Sequence, residues 1–343
     1  MFTSHHRVIA HRGASGYLPE HTLPAYELAI RQGADFVEPD IVVSRDGHLV
    51  VRHENNLTLT TDVADHDEFA GRRTTKNVDG RAVTGWFTED FTLAELRRLC
   101  ARERLPQLRP GSAAFDGRYP VVTLEEVLAL VRRFRSRAGR PVGVVLETKH
   151  STYFRSLGLP LEERLVNTLE AHGYTDASDP VVIQSFETTN LRHLARLTAL
   201  PLAQLIERAG APYDLVCVGD PTTYAELVTP RGLEGIRRYA EQVAVAKDVM
   251  IPRDAGGRLL DPTRFLDDAH DAELRVAGWT FRRENRYLPA QFRRGLDPHA
   301  WGDLRGEISA FLEAGMDRCI TDHPDQAAAA VGRRTTGAVP VLA

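Results

Sequence analysis

The amino-acid sequence predicts an α/β fold in which eight strands, each followed by a helix, close into a (β/α)8 barrel. Short runs rich in β-branched residues alternate with helical patterns along most of the chain, which is typical of a parallel sheet built from βα units. No G-x-G-x-x-G motif opens a helix, and this disfavours an open, doubly wound sheet. The 343 residues are enough for a single barrel domain, residues 1–343, that carries an insertion.

Nine runs of the sequence are candidate strands, one more than a closed barrel needs. The candidate strands are residues 7–10, 35–43, 49–53, 142–147, 180–185, 202–205, 243–247, 274–281 and 318–321. The candidate helices are residues 23–32, 124–137, 161–172, 188–197, 232–241 and 262–269. The helical patterns repeat apolar residues at three- and four-residue spacings, whereas the strand runs are short and bounded by turn residues.

Residues 54–119 interrupt this alternation of strands and helices. The segment is polar, rich in turn residues and only weakly periodic, with one helical patch at residues 93–99. Long loops of barrels often carry function, so we expect this insertion to form a cap over the active face. A decorative surface loop is the alternative.

Charge and hydropathy disfavour two classes of partner. The 43 Lys and Arg against 47 Asp and Glu give a net charge of −4. No basic stripe is present that would follow a nucleic-acid backbone, so nucleic acid is not an expected partner. No run approaches the roughly 18 apolar residues of a membrane span. Residues 1–10 lack the apolar core of a signal peptide, which favours a cytoplasmic location, with an exported protein whose leader has been removed as the alternative.

A His11-Arg12 pair directly follows the first candidate strand. Barrel enzymes keep their catalytic groups at the carboxyl ends of the strands, so both side chains are candidates for an active site. A histidine at a strand end is often a hydrogen-bonded structural residue instead, and the pair alone does not distinguish the two roles.

The second candidate strand carries two acidic residues, Glu38 and Asp40. Alternation along a strand places residues 38 and 40 on the same face. Two like charges within an apolar run are costly unless something compensates them, and carboxylate oxygens are the ligands that Mg²⁺ and Ca²⁺ prefer. The pair therefore predicts a divalent cation site, with rim carboxylates paired to arginine as the alternative.

An Asp46-Gly47 turn between two strand runs predicts a β-hairpin. If these two residues form the loop, Arg45 pairs with His48 and His53 lies directly opposite Asp40. Opposed residues of an antiparallel pair share a face and lie about 5 Å apart. The hairpin would therefore bring His53 to the acidic pair, and its antiparallel strand would account for the ninth candidate.

Glu147 and Lys149 share a face at the end of another candidate strand. A compact ammonium group suits a phosphate oxygen, and a simple ion pair with Glu147 is compatible with that role. Three acids, two histidines, an arginine and a lysine together suit metal-assisted phosphodiester chemistry, in which the histidines act as base and acid. No G-x-S-x-G motif supports acyl transfer.

The motifs resemble those of the glycerophosphodiester phosphodiesterases, in the long bacterial form of that family. The residues that carry the resemblance are His11-Arg12-Gly13-Ala14-Ser15-Gly16, Pro19-Glu20-His21-Thr22, Glu38 and Asp40, Asp46-Gly47, His53, Glu147 and Lys149, Gln184-Ser185-Phe186, Trp279-Thr280-Phe281-Arg282 with Glu284-Asn285, and Thr321-Asp322 with Pro324-Asp325. They extend over nearly the whole chain, and as a set they are highly specific.

The resemblance implies a TIM barrel with an inserted cap that hydrolyses glycerophosphodiesters, such as glycerophosphocholine, to sn-glycerol 3-phosphate and an alcohol. His11 and His53 would be the acid/base pair. One Mg²⁺ or Ca²⁺ would be bound by Glu38, Asp40 and Glu147. The substrate would be bound by Arg12 and Lys149 at its phosphate, with Glu20 and Trp279 lining the site. Glu20 has the alternative of capping the helix that follows it.

Two other functions compete with this interpretation. A phospholipase D-like enzyme on the same barrel would act on sphingomyelin or lysophospholipid, and it would need an apolar surface for acyl chains. A non-catalytic barrel would capture glycerophosphate without turning it over. The presence of every residue of the catalytic set disfavours the second alternative.

Overall fold

The computed structural model describes residues 6–135 and 139–332, and its centre is a parallel β-barrel. The strands of the described residues are β1 (Arg7–His11), β2 (Phe36–Glu38), β3 (Asp40–Val43), β4 (Leu49–Val51), β5 (Thr74–Val78), β6 (Arg81–Gly85), β7 (Gly143–Thr148), β8 (Val181–Ser185), β9 (Leu202–Ile206), β10 (Gln242–Ala246), β11 (Arg275–Phe281) and β12 (Arg318–Thr321). The helices there are α1 (Leu23–Arg31), α2 (Leu93–Leu96), α3 (Pro110–Ala113), α4 (Leu124–Arg132), α5 (Ser151–Ser156), α6 (Glu162–Ala171), α7 (Thr188–Leu197), α8 (Tyr213–Cys217), α9 (Tyr224–Leu227), α10 (Pro230–Arg237), α11 (Lys247–Met250), α12 (Phe265–Asp271), α13 (Leu304–Glu313) and α14 (Pro324–Ala330).

Eight parallel strands close the barrel, as the sequence predicts. The order β2-β1-β12-β11-β10-β9-β8-β7 is closed by pairing of β2 with β7. The second barrel strand is interrupted at Pro39, which has no N–H to donate, so β2 and β3 are separate segments that both pair with β7. Small and branched side chains fill the interior of the barrel, among them Ile9, Val145 and Ile320. All six residues of β7 are buried, as expected for a strand with helices outside and side chains inside.

The ninth candidate strand is β4, which pairs antiparallel with β3 outside the parallel barrel. The predicted register of this hairpin is wrong by one residue. Val43 lies opposite Leu49, and the N–H of Ser44 bonds the carbonyl oxygen of His48 at 3.0 Å. The loop therefore has three residues and ends at Gly47 in the left-handed conformation, with φ +86°. The residue opposite Asp40 is consequently Arg52 and not His53.

Helix ends differ from the sequence pattern where side chains cap the backbone. Thr22 caps α1 by accepting a hydrogen bond from the N–H of Ala25, and Thr123 forms a reciprocal capping box with Glu126 on α4. Glu20 is therefore not the cap of α1. Helix α4 ends at Arg132, and residues 136–137 of the predicted helix lie outside the described residues.

Residues 54–119 form short elements whose apolar side chains join the main hydrophobic core of the protein. The strands β5 and β6 make an antiparallel hairpin, and the predicted helical patch is reduced to the single turn of α2. Phe87 and Phe91 are completely buried beneath these elements, which explains how so polar a stretch holds a defined shape. Among residues 6–135 and 139–332, no helix is long and apolar enough to cross a membrane.

Gly143, at the start of β7, lies where β7 pairs with β2 to close the barrel, and we expect this position to be sensitive to any added side chain. A methyl group at Gly143 would meet the ring of Phe36 and lie 2.6 Å from the carbonyl oxygen of Pro180. We expect Gly143→Ala to lower the free energy of unfolding by about 1–3 kcal/mol, the usual cost of overpacking, in chemical denaturation. Gly235→Ala on α10 is the matched control, because nothing lies within 4 Å of its added methyl group. Equal stability of the two variants would contradict the prediction.

Candidate active site

Seven of the nine predicted site residues line one cleft at the carboxyl ends of the barrel strands, and Asp40 and Glu20 do not. The cleft has a volume of about 530 Å³. The predicted residues that line it are His11, Arg12, Glu38, His53, Glu147, Lys149 and Trp279. They lie within or directly after β1, β2, β4, β7 and β11, so strands far apart in sequence contribute to one face of the barrel.

Three acidic side chains meet at the base of this cleft. Oxygen atoms of Glu38, Asp40 and Glu147 all lie within 4.8 Å of one another, and the residues are 1%, 0% and 5% exposed. Asp40 and Glu147 are direct neighbours in the parallel pairing of β3 with β7. The cluster is therefore created by strand register across the barrel as well as by the alternation of residues 38 and 40.

Burial and mutual repulsion shift the acidity of these groups. Burial, Asp40 and Glu147 raise the pKa of Glu38 well above its ordinary value. The pKa of Glu147 is raised to about 8, mainly by burial, although Lys149 opposes the shift. Burial also disfavours ionisation of Asp40, but Lys149 and the neighbouring histidines outweigh it and hold the pKa of Asp40 well below its usual range. Cationic groups therefore govern how much negative charge the cluster carries.

Lys149 and Arg12 partly neutralise the acidic cluster. The Nζ atom of Lys149 lies 2.5 Å from Glu147 Oε1 and 3.3 Å from Asp40 Oδ1. The Nε atom of Arg12 lies 3.4 Å from Asp40 Oδ2, and its backbone N–H donates to Glu38. Neither Asp40 Oδ1 nor Glu147 Oε1 receives a geometrically good hydrogen bond, although both are buried. Ionisation of all three carboxylates, which metal ligation requires, gives one negative charge more than Lys149 and Arg12 neutralise, and these oxygens suit a hard divalent cation.

Both histidines have a carboxylate beside Nδ1. His11 Nδ1 is hydrogen-bonded to Asp322 Oδ1 at 2.6 Å, and His53 Nδ1 lies 2.9 Å from Glu54 Oε1. Removal from water and the Arg12 guanidinium lower the pKa of His11 to about 4, and the same causes with Lys149 lower that of His53 to about 3. Both rings are therefore neutral near pH 7. His53 reaches the cleft although Arg52 takes the place opposite Asp40, since it lies two residues beyond β4.

Glu20 does not line the cleft, in contrast to the position expected for it. Its carboxylate is 6% exposed and accepts from Arg12 at 3.1 Å and from Arg104 at 2.7 Å. Trp279 does line the cleft, with its ring edge against Phe186 and its Nε1–H donated to the carbonyl of Ala244. Glu20 therefore does not face the cleft; it binds Arg12, which lines the cleft, and Arg104, which does not.

Two polar residues that hold the carboxylates were missed by the sequence interpretation. His21 is completely buried, with Nε2 at 2.8 Å from Asp40 Oδ2 and Nδ1 at 2.7 Å from the hydroxyl of Tyr26. Gln184 donates from Nε2 to Glu38 Oε1 at 3.1 Å. Both residues belong to motifs that carry the family resemblance, but their spacing in the sequence does not predict which side chains they contact. Only the approach of the loop after β1 and of β8 to the acidic cluster reveals their contacts.

A family model for the glycerophosphoryl diester phosphodiesterase family matches residues 11–326. The chain belongs to that family. It is 37% identical over 329 residues to a glycerophosphodiester phosphodiesterase of Arabidopsis thaliana, covering 92% of this chain and 82% of the relative. A glycerophosphodiester phosphodiesterase of Treponema pallidum is 27% identical over 353 residues, covering 94% of this chain and 90% of the relative. The sequence-based identification of an enzyme of this family, a hydrolase, is confirmed.

Solved structures agree on the fold. A glycerophosphodiester phosphodiesterase from Agrobacterium tumefaciens has a TM-score of 0.57 at 18% identity, covering 94% of this chain and 99% of its own. An Oleispira antarctica phosphodiesterase, solved in complex with the product sn-glycerol 3-phosphate, has a TM-score of 0.60 at 20% identity, covering 95% and 96%. At these identities the similarity supports the barrel architecture.

The contact between His21 and Asp40 predicts a stability effect that is independent of activity. His21→Leu would leave a buried carboxylate oxygen without its hydrogen-bond partner, so we expect a loss of about 1–3 kcal/mol in the free energy of unfolding of metal-free protein. Tyr26→Phe removes only the hydroxyl on the far side of His21 and should cost about 0.5–1.5 kcal/mol. Chemical denaturation in EDTA measures both, and a His21→Leu protein as stable as wild type would refute the contact's importance.

Proposed function

We propose that the protein hydrolyses glycerophosphodiesters, such as glycerophosphocholine and glycerophosphoethanolamine, to sn-glycerol 3-phosphate and an alcohol. One observation carries the proposal: two neutral histidines and three buried carboxylates line or underlie a single cleft that also holds Arg12 and Lys149. Family membership supports the reaction class. The product bound to the Oleispira antarctica phosphodiesterase suggests the glycerol phosphate product here.

The proposed cofactor is one divalent cation, Mg²⁺ or Ca²⁺, with Glu38, Asp40 and Glu147 as its ligands. Its support is the convergence of three carboxyl groups on only two nearby cations and the two buried oxygens that lack good hydrogen bonds. When bound, such a cation polarises the phosphoryl group and offsets its developing charge. His21 and Gln184 would keep the ligand oxygens oriented, as hydrogen bonds behind metal ligands commonly do.

The proposed acid and base are His11 and His53. Each ring directs Nδ1 toward a carboxylate, which leaves Nε2 as the nitrogen available for proton transfer. One ring, in its neutral form, accepts the proton of the attacking hydroxyl group. The other ring must first take up a proton, which the negative charge of the bound phosphodiester favours, and it then donates that proton to the oxygen of the departing alcohol. Arg12 and Lys149 would bind the phosphoryl oxygens, while Glu20 keeps Arg12 in place.

The alcohol part of the substrate would occupy a recess that continues from the cleft past His53 and Lys149. This recess has a volume of about 530 Å³. Its walls carry both acidic side chains, including exposed Glu207 and Asp79, which pairs with His150, and basic ones, Arg81 and Lys149. The aromatic rings of Tyr213 and Tyr224 complete the wall, and Glu207 beside these rings suits a cationic amino alcohol. This favours glycerophosphocholine and glycerophosphoethanolamine among the small diesters.

Residues 54–119 would act as the cap of a single catalytic domain, residues 1–343. Asn56, Val78 and Arg81 of this segment line the alcohol recess. Arg104 and Arg109 of the same segment reach side chains behind the cleft. A cap built in this way would help to exclude water from the reacting phosphodiester.

An apolar cavity makes a lysophospholipid the second candidate substrate. The cavity has a volume of about 640 Å³, and its walls include Leu108, Phe115 and Trp301. Its lining residues are separate from those of the catalytic cleft, and the Arg109–Asp322 ion pair joins a residue of its wall to the partner of His11. An acyl chain bound in the apolar cavity would therefore not be continuous with a phosphodiester bound in the catalytic cleft. Small glycerophosphodiesters are for this reason favoured as substrates over lysophospholipid.

Removal of metal and of each histidine tests the reaction. Metal-stripped protein should release no glycerol 3-phosphate from glycerophosphocholine, and Mg²⁺ or Ca²⁺ should restore release in a coupled assay. His11→Ala and His53→Ala should lower kcat by roughly 10²- to 10⁴-fold, because each removes one proton-transfer group. Wild-type rates in either variant would exclude that histidine as acid or base. Full activity in EDTA would exclude the cation.

Glu207 in the alcohol recess predicts a substrate preference that depends on the charge of the alcohol. Glu207→Gln should raise KM for glycerophosphocholine and leave KM for the uncharged alcohol of glycerophosphoglycerol unchanged, because only the cation interacts with the carboxylate. Glu234→Gln, an exposed acid on α10, is the matched control. Equal effects of Glu207→Gln on both substrates would place the alcohol elsewhere.

A further inference from the structure

Two arginines of the inserted segment stand behind the two histidines of the cleft. Each arginine binds the carboxylate that lies beside Nδ1 of one histidine. Arg109 contacts Asp322, the partner of His11, and Arg104 contacts Glu54, the partner of His53. The two arginines are close in sequence, whereas the histidines belong to different parts of the barrel.

The chain of contacts behind His11 is almost completely buried. Asp322 Oδ1 is bonded to His11 Nδ1, and Asp322 Oδ2 accepts from Arg109 Nη2 at 2.6 Å and from Arg282 Nε at 2.7 Å. Arg109 is itself anchored, since Nε donates to Glu284 at 2.8 Å and Nη1 to the carbonyl of Ser15 at 3.0 Å. Although burial disfavours ionisation of Asp322, the two guanidinium groups hold its pKa well below the ordinary value. Asp322 is therefore a fixed acceptor for a proton on His11 Nδ1.

The arginine contacts behind His53 are similar, but Nδ1 of His53 lies 2.9 Å from Glu54 Oε1 without the geometry of a hydrogen bond. Arg104 forms a bidentate pair with Glu54, at 2.6 Å from Nη1 and 2.7 Å from Nη2. Its other edge donates to both carboxylate oxygens of Glu20, at 2.7 Å and 2.9 Å. Glu20 in turn accepts from Arg12. A single arginine of the segment thus connects the carboxylate beside His53 with the one that holds Arg12.

We infer that Arg104 and Arg109 are positioning residues, through which the inserted segment sets the tautomer and orientation of both histidines by way of Glu54 and Asp322. The inference rests on the proposed acid/base role of His11 and His53. A carboxylate at Nδ1 keeps the proton on that nitrogen and leaves the lone pair of Nε2 for catalysis. The bidentate contact of Arg104 fixes Glu54, and single hydrogen bonds from Arg109 and Arg282 fix Asp322. The segment is therefore part of the catalytic apparatus as well as a cover for it.

The competing explanation is that these arginines only attach the segment to the barrel. Arg102 offers a matched control, because it belongs to the same segment and pairs with Asp65 at the surface, away from both histidines. If the arginines only attach the segment, Arg104→Met and Arg109→Met should lower the free energy of unfolding more than Arg102→Met does and should leave kcat of the folded protein unchanged. If they position the histidines, both variants should also lower kcat.

Steady-state kinetics on glycerophosphocholine with the activating cation test the inference first. Arg104→Met and Arg109→Met should lower kcat by roughly 10- to 100-fold, and Asp322→Asn by roughly 10²- to 10⁴-fold. KM should change little in Arg109→Met and Asp322→Asn, whereas Arg104→Met should also raise KM, because Arg104 holds Glu20 behind Arg12. Arg109→Lys, which keeps the positive charge, should recover part of the loss. Arg102→Met should match wild type. Unchanged kcat in both Arg104→Met and Arg109→Met would overturn the inference.

The tautomer of His11 provides a readout that does not need activity. In ¹⁵N-histidine-labelled protein at neutral pH, the His11 resonances, assigned by their loss in His11→Gln, should show a proton on Nδ1. Asp322→Asn keeps the side-chain volume but presents an amide donor, so the proton should move to Nε2. An unchanged tautomer in folded Asp322→Asn would overturn the inference. If wild type shows the Nδ1 tautomer but no turnover of any glycerophosphodiester, the proposed function fails while the positioning contact is retained.

Discussion

The constraint on which the site depends is the burial of three acidic groups in one small volume. Glu38, Asp40 and Glu147 are almost inaccessible to solvent, and each disfavours ionisation of its neighbours. Such a cluster is stable only if cations and hydrogen-bond donors surround it. Lys149, Arg12 and buried His21 meet part of that need, so much of the polar architecture around the barrel mouth is compensation for the carboxylates.

Compensation extends outward in layers of alternating charge. The acids attract Arg12, Arg12 attracts Glu20, and Glu20 attracts Arg104 of the inserted segment. The ion pairs of Arg109 with Asp322 and Glu284 form a second chain of this kind behind His11. These pairs are buried, so removing one partner leaves an uncompensated charge and costs more than the pair itself contributes. The ion pairs of Arg104 and Arg109 therefore add to the apolar packing that joins the segment of residues 54–119 to the barrel.

The differences between prediction and structure have local physical causes. The β3–β4 hairpin has a three-residue loop because Ser44 bonds back to His48 and Gly47 adopts a left-handed conformation, whereas the Asp-Gly pair alone suggests a two-residue loop. A slip of one residue changes which residue lies opposite each residue of the partner strand, so Arg52 and not His53 lies opposite Asp40. Glu20 faces away from the cleft because two arginines draw its carboxylate inward.

By itself the sequence determined the (β/α)8 barrel, the family and the set of polar residues at the strand ends, because periodicity and motif spacing are local properties of a chain. Only the tertiary structure decided that Glu147 lies beside Asp40, that His21 and Gln184 hold the carboxylates, and that Asp322 supports His11. These contacts join residues separated by as many as 311 positions. Their partners depend on barrel closure and strand register, which bring together side chains whose spacing along the chain carries no information about their distance in space.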